Sequence, residues 1–317
     1  MRSRYVAGII VLVLLVPAVL AGDDFLDEID RALAGEDTVE AIQAEPMRSD
    51  AVLSDVFANR FYRDKLLLLV LMAALLAVPG VFVCLKREFF LSLSVAQAAS
   101  AGIALGMLAG ADIMLMAVVF IAICLAVVAI AREKGVADKN ALLFALYTAF
   151  AALTTLILSR SGEGNVLVTN LLFGDLVTVT LANARPFIIA GGVTVLLHLL
   201  LQRVYVPVIF DPVFAEFEEI PVRSMSFMTT LLQGILLGYA IRLAGMFFAL
   251  AFLAVVPAAV LMLVRSMRAA LLYSALAAVL VVTFSFTLAV LLDYPASAMV
   301  AAVSALLFGG VFLFRRG

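Results

Sequence analysis

Charge is scarce in this chain: 14% of its residues are charged, where a soluble globular domain has about 25%. That shortage excludes an ordinary water-facing surface. The hydrophobic share of 66% lies well above the roughly 45–50% of soluble domains and identifies an integral membrane protein. Cysteine is nearly absent. Cys84 and Cys124 both sit inside apolar runs with no CxxC spacing, which excludes a disulfide framework or a zinc knuckle and leaves two core side chains. The single histidine, His198, lies among leucines with no second ligand a turn away; a buried, hydrogen-bonded or lipid-boundary role fits it better than metal ligation. Also missing are a Walker A pattern, a G-x-G-x-x-G turn after a strand and an H-E-x-x-H helix, so the chain is not expected to hydrolyse a nucleotide itself.

What the chain does contain is a series of apolar runs about 20 residues long, enough to cross a bilayer as helices. Charged residues and Gly, Pro or Asp separate them, and the short alternating segments of a transmembrane barrel are missing. The predicted fold is all-α and polytopic, with about nine core transmembrane helices, a re-entrant segment and an N-terminal hydrophobic segment. Residues 1–21 have a basic start, an apolar stretch and small residues at the end, the pattern of a signal peptide or a retained anchor. Residues 22–64 form an acidic extracytoplasmic extension, with 11 of the 23 acidic residues lying between Asp23 and Asp55. Phe25, Leu26, Ile29, Ala32 and Leu33 fall at helical spacing within it. It reads as a solvated spacer or as a docking surface for an extracytoplasmic partner.

The positive-inside rule orients the core, residues 65–317. Spans are predicted at Leu66 to Leu85, Phe89 to Ala109, Ile113 to Ala131, Ala141 to Ser159 and Pro186 to Val204. Four more follow at Ser226 to Leu243, Ala244 to Val264, Ala269 to Leu292 and Ala296 to Phe314. This arrangement leaves 13 of the 21 basic residues on the cytoplasmic side. Val166 to Thr180 is barely long enough to cross and contains Asn170, Gly174 and Asp175. It is predicted to be a broken or re-entrant helix, tolerated only against protein or a water-filled cavity.

One stretch organises the rest: Phe210 to Val222, FDPVFAEFEEIPV. Its acids cannot sit in hydrocarbon, while Phe214 and Phe217, three residues apart, give a short helix one sticky face. A cytoplasmic acidic-aromatic element between two spans, in a chain without its own motor, suits a plug for the socket of a separate ATPase. With the downstream IRLAGMFFALAFLAVVPAAVLMLVRSMRA, the LLFGDLVTVT segment and GVFVCLKREFF, it resembles the permease subunits of the zinc and manganese ATP-binding cassette (ABC) importers. That family carries FDxxFA followed by G-x-P-V, LR-x-x-G with a later P-A, LFGDLLAV and GVFVVLRR. The likeness runs from about Phe61 to the C-terminus.

The resemblance implies a homodimeric permease in the bacterial cytoplasmic membrane, driven by a cytoplasmic ATPase that binds ATP and Mg and served by a metal-delivering solute-binding protein. It implies no enzyme activity or cofactor in this chain and no nucleic-acid partner. Coupling to the ATPase is expected at Phe210, Asp211, Phe214, Glu216, Phe217, Glu218 and Pro221, and Glu219 stands where the family commonly has Gly. Pathway candidates are Gln97, Gly102, Asp175 and Arg242, of which Asp175 is a weak metal-ligand candidate. Arg242 also reads as a structural ion-pair or carbonyl-binding residue. A larger departure lies in the second span, where the family reads FFGDxLSHAxLPG. Aligned on Gly102, this chain has Leu93 for the Asp, Ala96 for the Ser, Gln97 for the His and Ala101 for the Pro. The carboxylate and imidazole that divalent cations prefer are gone. Gln97 and Gln233 can hydrogen-bond across helices, and Asp293 with Pro295 marks a turn. Two further readings stay open: an ion-coupled secondary carrier relaying through Asp112, Asp175 and Asp293, and a transport-dead receptor or scaffold of the same fold.

Overall fold

The structure, a computed structural model, describes residues 60–133, 138–160, 164–174, 179, 181–210, 218 and 222–316. The N-terminal hydrophobic segment and nearly all of the acidic extension lie outside the described residues. Among those described, regular structure is helical and no strand occurs. The helices are α1 (Arg60–Lys86), α2 (Phe89–Ala109), α3 (Ile113–Glu133), α4 (Lys139–Leu158), α5 (Gly164–Phe173) and α6 (Leu181–Leu200). They continue with α7 (Gln202–Phe210), α8 (Val222–Leu250), a π-helical turn (Ala251–Val255), α9 (Val256–Leu263), α10 (Met267–Leu292) and α11 (Ala296–Arg316).

Eight helices are long and apolar enough to cross a membrane. One of them, Met225–Leu263, runs for 39 residues, about 58 Å at 1.5 Å per residue, nearly twice the roughly 30 Å hydrocarbon core. Its helix is interrupted at Gly245, whose φ of 83° and ψ of 164° are not helical. The run is therefore two helices that meet at Gly245, and the two spans predicted to divide after Leu243 divide there. α5 has ten residues, about 15 Å, and cannot cross, as its polar sequence predicts. The span expected to end at Val204 ends at Leu200 instead, and α7 follows as a separate short helix. α1 starts at Arg60, so the first turns of the span take in the last residues assigned to the acidic extension.

Helix ends are set locally. Asp138 caps α4, its carboxylate accepting from the backbone N–H of Asn140 at 2.9 Å and Ala141 at 3.1 Å, and Ser266 caps α10 by accepting from Ala269 N–H. Asp293 ends α10 in the left-handed conformation, with φ 55°, which is the turn the sequence predicts there. The α1–α2 turn is tied to the start of α4 by Lys139 and Glu88, 3.5 Å apart.

Two helices are enclosed by the others. α2 packs on α3, α4 and α8, and α1 packs on α10, α6 and the π-helical turn. The main core joins both through Met72, Leu76, Ile103, Ile121, Phe248 and Phe252. A second, separate cluster holds Phe82, Tyr205 and Met225, where α7 and the start of α8 meet α1.

Candidate functional site: the α2–α8 pathway region and the coupling flanks

The small residues of α2 are used for close packing. A Cβ on Gly102 would stand 2.4 Å from Met116 O and 2.6 Å from the Ala117 Cα of α3, so here the two backbones touch. Ser94 donates to Leu143 O of α4 at 2.7 Å. Gln97, buried on the same helix, donates from Nε2 to the Met246 Sδ at 3.2 Å. The amide at the position where the family places its histidine is thus held by a thioether one residue past the break in α8. Leu93 is half-buried one turn earlier and offers no donor atom. Among the described residues no group of three or more His, Cys, Asp or Glu side chains could hold a metal ion.

Beside this region the end of α5 is seated on the break in α8. Gly174 and Gly245 both have positive φ, 68° and 83°. A Cβ on Gly245 would stand 2.4 Å from Gly174 N, and one on Gly174 would stand 2.3 Å from the Ala244 carbonyl carbon. The φ/ψ pair at Gly245 falls in a region open essentially only to glycine. Phe173 stacks at a tilt on Phe247, centroids 5.4 Å apart, and Ser297 of α11 donates to Phe173 O. The LLFG and RLAG motifs, distant in sequence, are one contact in space. Asp175, the next residue, lies outside the described residues. Arg242 is exposed one turn before the break.

At the other end of α8 the stretch expected to couple to an ATPase is described at Phe210, Glu218 and Val222. Phe210, the last residue of α7, is 66% exposed, and Glu218 is exposed in a turn. Asp211, Phe214, Glu216, Phe217 and Pro221 lie outside the described residues. The exposed Phe210 ring closes the described part of α7. Just inside it, Tyr205 of α7 is 3% exposed, and burial pushes its phenol up to about 12.

Two of the relay candidates have structural roles. Asp112 is exposed and accepts from Leu115 N–H at 2.7 Å, capping α3, and Asp293 is the exposed C-cap of α10. Cys84 and Cys124 are buried free thiols, Cys84 directing its Sγ to Ala254 O at 3.4 Å. Both glutamines bond across helices as predicted: Gln97 to Met246, and Gln233 to Pro79 O and His198. Sequence reasoning missed His198's partner because Gln233 is on another span. It also missed Met246, whose only signal was its place after the Arg-Leu-Ala-Gly run.

The chain is similar to known transport proteins over most of its length. It is 24% identical over 246 residues, 77% of this chain and 84% of the relative, to the manganese transport system membrane protein MntC of Halalkalibacterium halodurans. Its fold matches PsaBC from Streptococcus pneumoniae, solved in complex with Fab, with TM-score 0.73 and 17% identity over 82% of this chain and 94% of that one. It also matches a protein assigned to the metal-chelate type ABC transporters in an inward-facing conformation, with TM-score 0.66 and 19% identity over 94% of this chain and 99% of that one. The sequence profile of the ABC 3 transport family matches residues 59–315, which takes in every described helix but for the last residue of α11, and the chain belongs to that family.

Proposed function

We propose that the chain is the membrane-spanning permease subunit of an ABC importer for a divalent metal, manganese or zinc. The observation that carries this reading is the family match over residues 59–315, and the manganese transport assignment of its relative favours manganese. The permease works as a homodimer in the bacterial cytoplasmic membrane. A separate cytoplasmic ATPase, which binds ATP and Mg, grips the stretch from Phe210 to Val222, and an extracytoplasmic solute-binding protein delivers the metal.

With Leu93 and Gln97 at the family's ligand positions, the described part of the membrane pathway offers the ion amide, thioether and backbone atoms. Such weak ligands suit a conduit that must release its cargo, so selection between metals falls to the binding protein. The carrier reading is disfavoured by the capping roles of Asp112 and Asp293.

Reversing charge at the coupling stretch tests the proposal. Glu216→Lys with Glu218→Lys is expected to abolish co-purification of the ATPase subunit and metal uptake while the permease still inserts into the membrane. Normal co-purification and normal uptake by that variant would contradict the assignment.

A further inference from the structure

An imidazole in a membrane interior is tolerated when each ring nitrogen has a partner. His198 is fully buried. Its Nδ1 lies 2.7 Å from Thr194 O of the preceding turn, and its Nε2 lies 3.3 Å from the Nε2 of Gln233 on α8. The same Gln233 nitrogen is 3.4 Å from Pro79 O on α1. A carbonyl can only accept and an amide nitrogen can only donate. Gln233 therefore donates one hydrogen to Pro79 O and the other to His198 Nε2, and His198 donates from Nδ1 to Thr194 O. One amide ties α1, α6 and α8 into a closed, uncharged set. A second tie lies one turn closer to the coupling stretch, where Lys86 of α1 donates to Thr229 Oγ1 at 2.5 Å.

The apolar side of this junction carries α7. The Phe82 ring is 4.7 Å from the His198 ring and 6.1 Å from the Tyr205 ring, and His198 and Tyr205 are 5.3 Å apart. Met225, near the start of α8, completes the cluster, which is separate from the main core. α7 ends at Phe210 and α8 begins at Val222, so both flanks of the coupling stretch rest on the same short segment of α1, Pro79 to Lys86. That segment backs onto the π-helical turn: a Cβ on Gly80 would stand 2.4 Å from Leu253 O, and Cys84 reaches Ala254 O.

Resting on the permease reading above, we infer that His198 and Gln233 are positioning residues. They seat α7 and the first turns of α8 on α1, so that a displacement of the coupling stretch enters the bundle through α1 and the π-helical turn behind it. The amide, imidazole and proline carbonyl make a directional joint, where apolar packing alone would let the helices slide.

The test uses the full permease with its ATPase subunit in liposomes and reads manganese taken up per ATP hydrolysed. Gln233→Met keeps length and removes the amide; His198→Phe keeps a ring against Phe82 and Tyr205. Each is expected to lower uptake per ATP by about tenfold, within the range of a site-to-site coupling, while ATP hydrolysis continues. The double variant is expected to fall no further than either single, because the two act through each other. Tyr205→Leu, in a helix outside the spans, is expected to lower the same ratio and serves where an intramembrane variant does not assemble. An unchanged ratio in an assembled variant, or losses that multiply in the double, would overturn the inference. A wild-type complex that hydrolyses ATP but moves neither manganese nor zinc would instead overturn the permease reading.

Discussion

α1 and α2 are both enclosed by neighbouring helices, by opposite means. α2 is slim: Ala96, Ala98, Ala99, Ala101 and Gly102 let α3 and α8 approach its backbone, and its buried amide, Gln97, meets a thioether. α1 is bulky, with Met72, Leu76 and Phe82 fully buried, and it gathers polar partners from α8. The helix that the family resemblance marks as chemically active has lost its ionisable groups. The helix that carries the GVFVCLK run borders the buried polar junction instead, through the Pro79 carbonyl. The proposed ion pathway and the proposed route of the mechanical stroke thus fall on different helices.

This contrast predicts that α1 is broken by removing atoms and α2 by adding them. Phe82→Ala empties the cluster that holds α7 and is expected to cost roughly 3–5 kcal/mol, seen as a large drop in the melting temperature of detergent-solubilised permease. Gly102→Ala pushes a Cβ into α3 backbone that has no flexible end to yield, and is expected to cost roughly 1–3 kcal/mol in the same assay. Equal tolerance of both changes would remove the distinction.

The chemical half of the contrast is tested by restoring the ligands. Leu93→Asp with Gln97→His is expected to raise manganese affinity of the isolated permease by tenfold or more, roughly 1.4 kcal/mol, whereas the wild type gives little heat on titration with manganese or zinc. Tight, stoichiometric binding to the wild type that survives changes at Asp175 and His198 would mean that the metal is held elsewhere. The smallest effect concerns pH. Tyr205 loses its proton near 10 when unfolded but at about 12 in the protein, so its neutral form favours the folded state. That contribution is complete below pH 10 and is lost as pH rises through 12. Tyr205→Phe is expected to flatten the decline in melting temperature above pH 10 by a few degrees at most.

Much of this architecture was legible in the residues. Span lengths and the polar interruption in Val166 to Thr180 predict where the long helices fall and that α5 is short, because the bilayer imposes a length on every apolar run. The break in α8 falls at Gly245, two residues past the predicted boundary, for a reason no hydropathy pattern carries: the backbone of Gly174 fills the space a side chain would take. The junction at His198 was illegible in the same way. Its partner is 35 residues away, and a lone histidine among leucines shows no sign of it. Gln97 was recognisable as a departure from the family, but its bond to Met246 depends on how the chain turns at Gly245. Local rules predicted the elements, and contacts between distant backbones determined which side chains meet.

The most direct test of the central claim is manganese uptake by the complete transporter under two separate energy blocks. A permease driven through Phe210 to Val222 by an ATPase predicts uptake that stops when ATP is depleted and continues when an uncoupler dissipates the proton gradient. Uptake that persists without ATP and collapses with the uncoupler would contradict it and return the chain to the ion-coupled carriers.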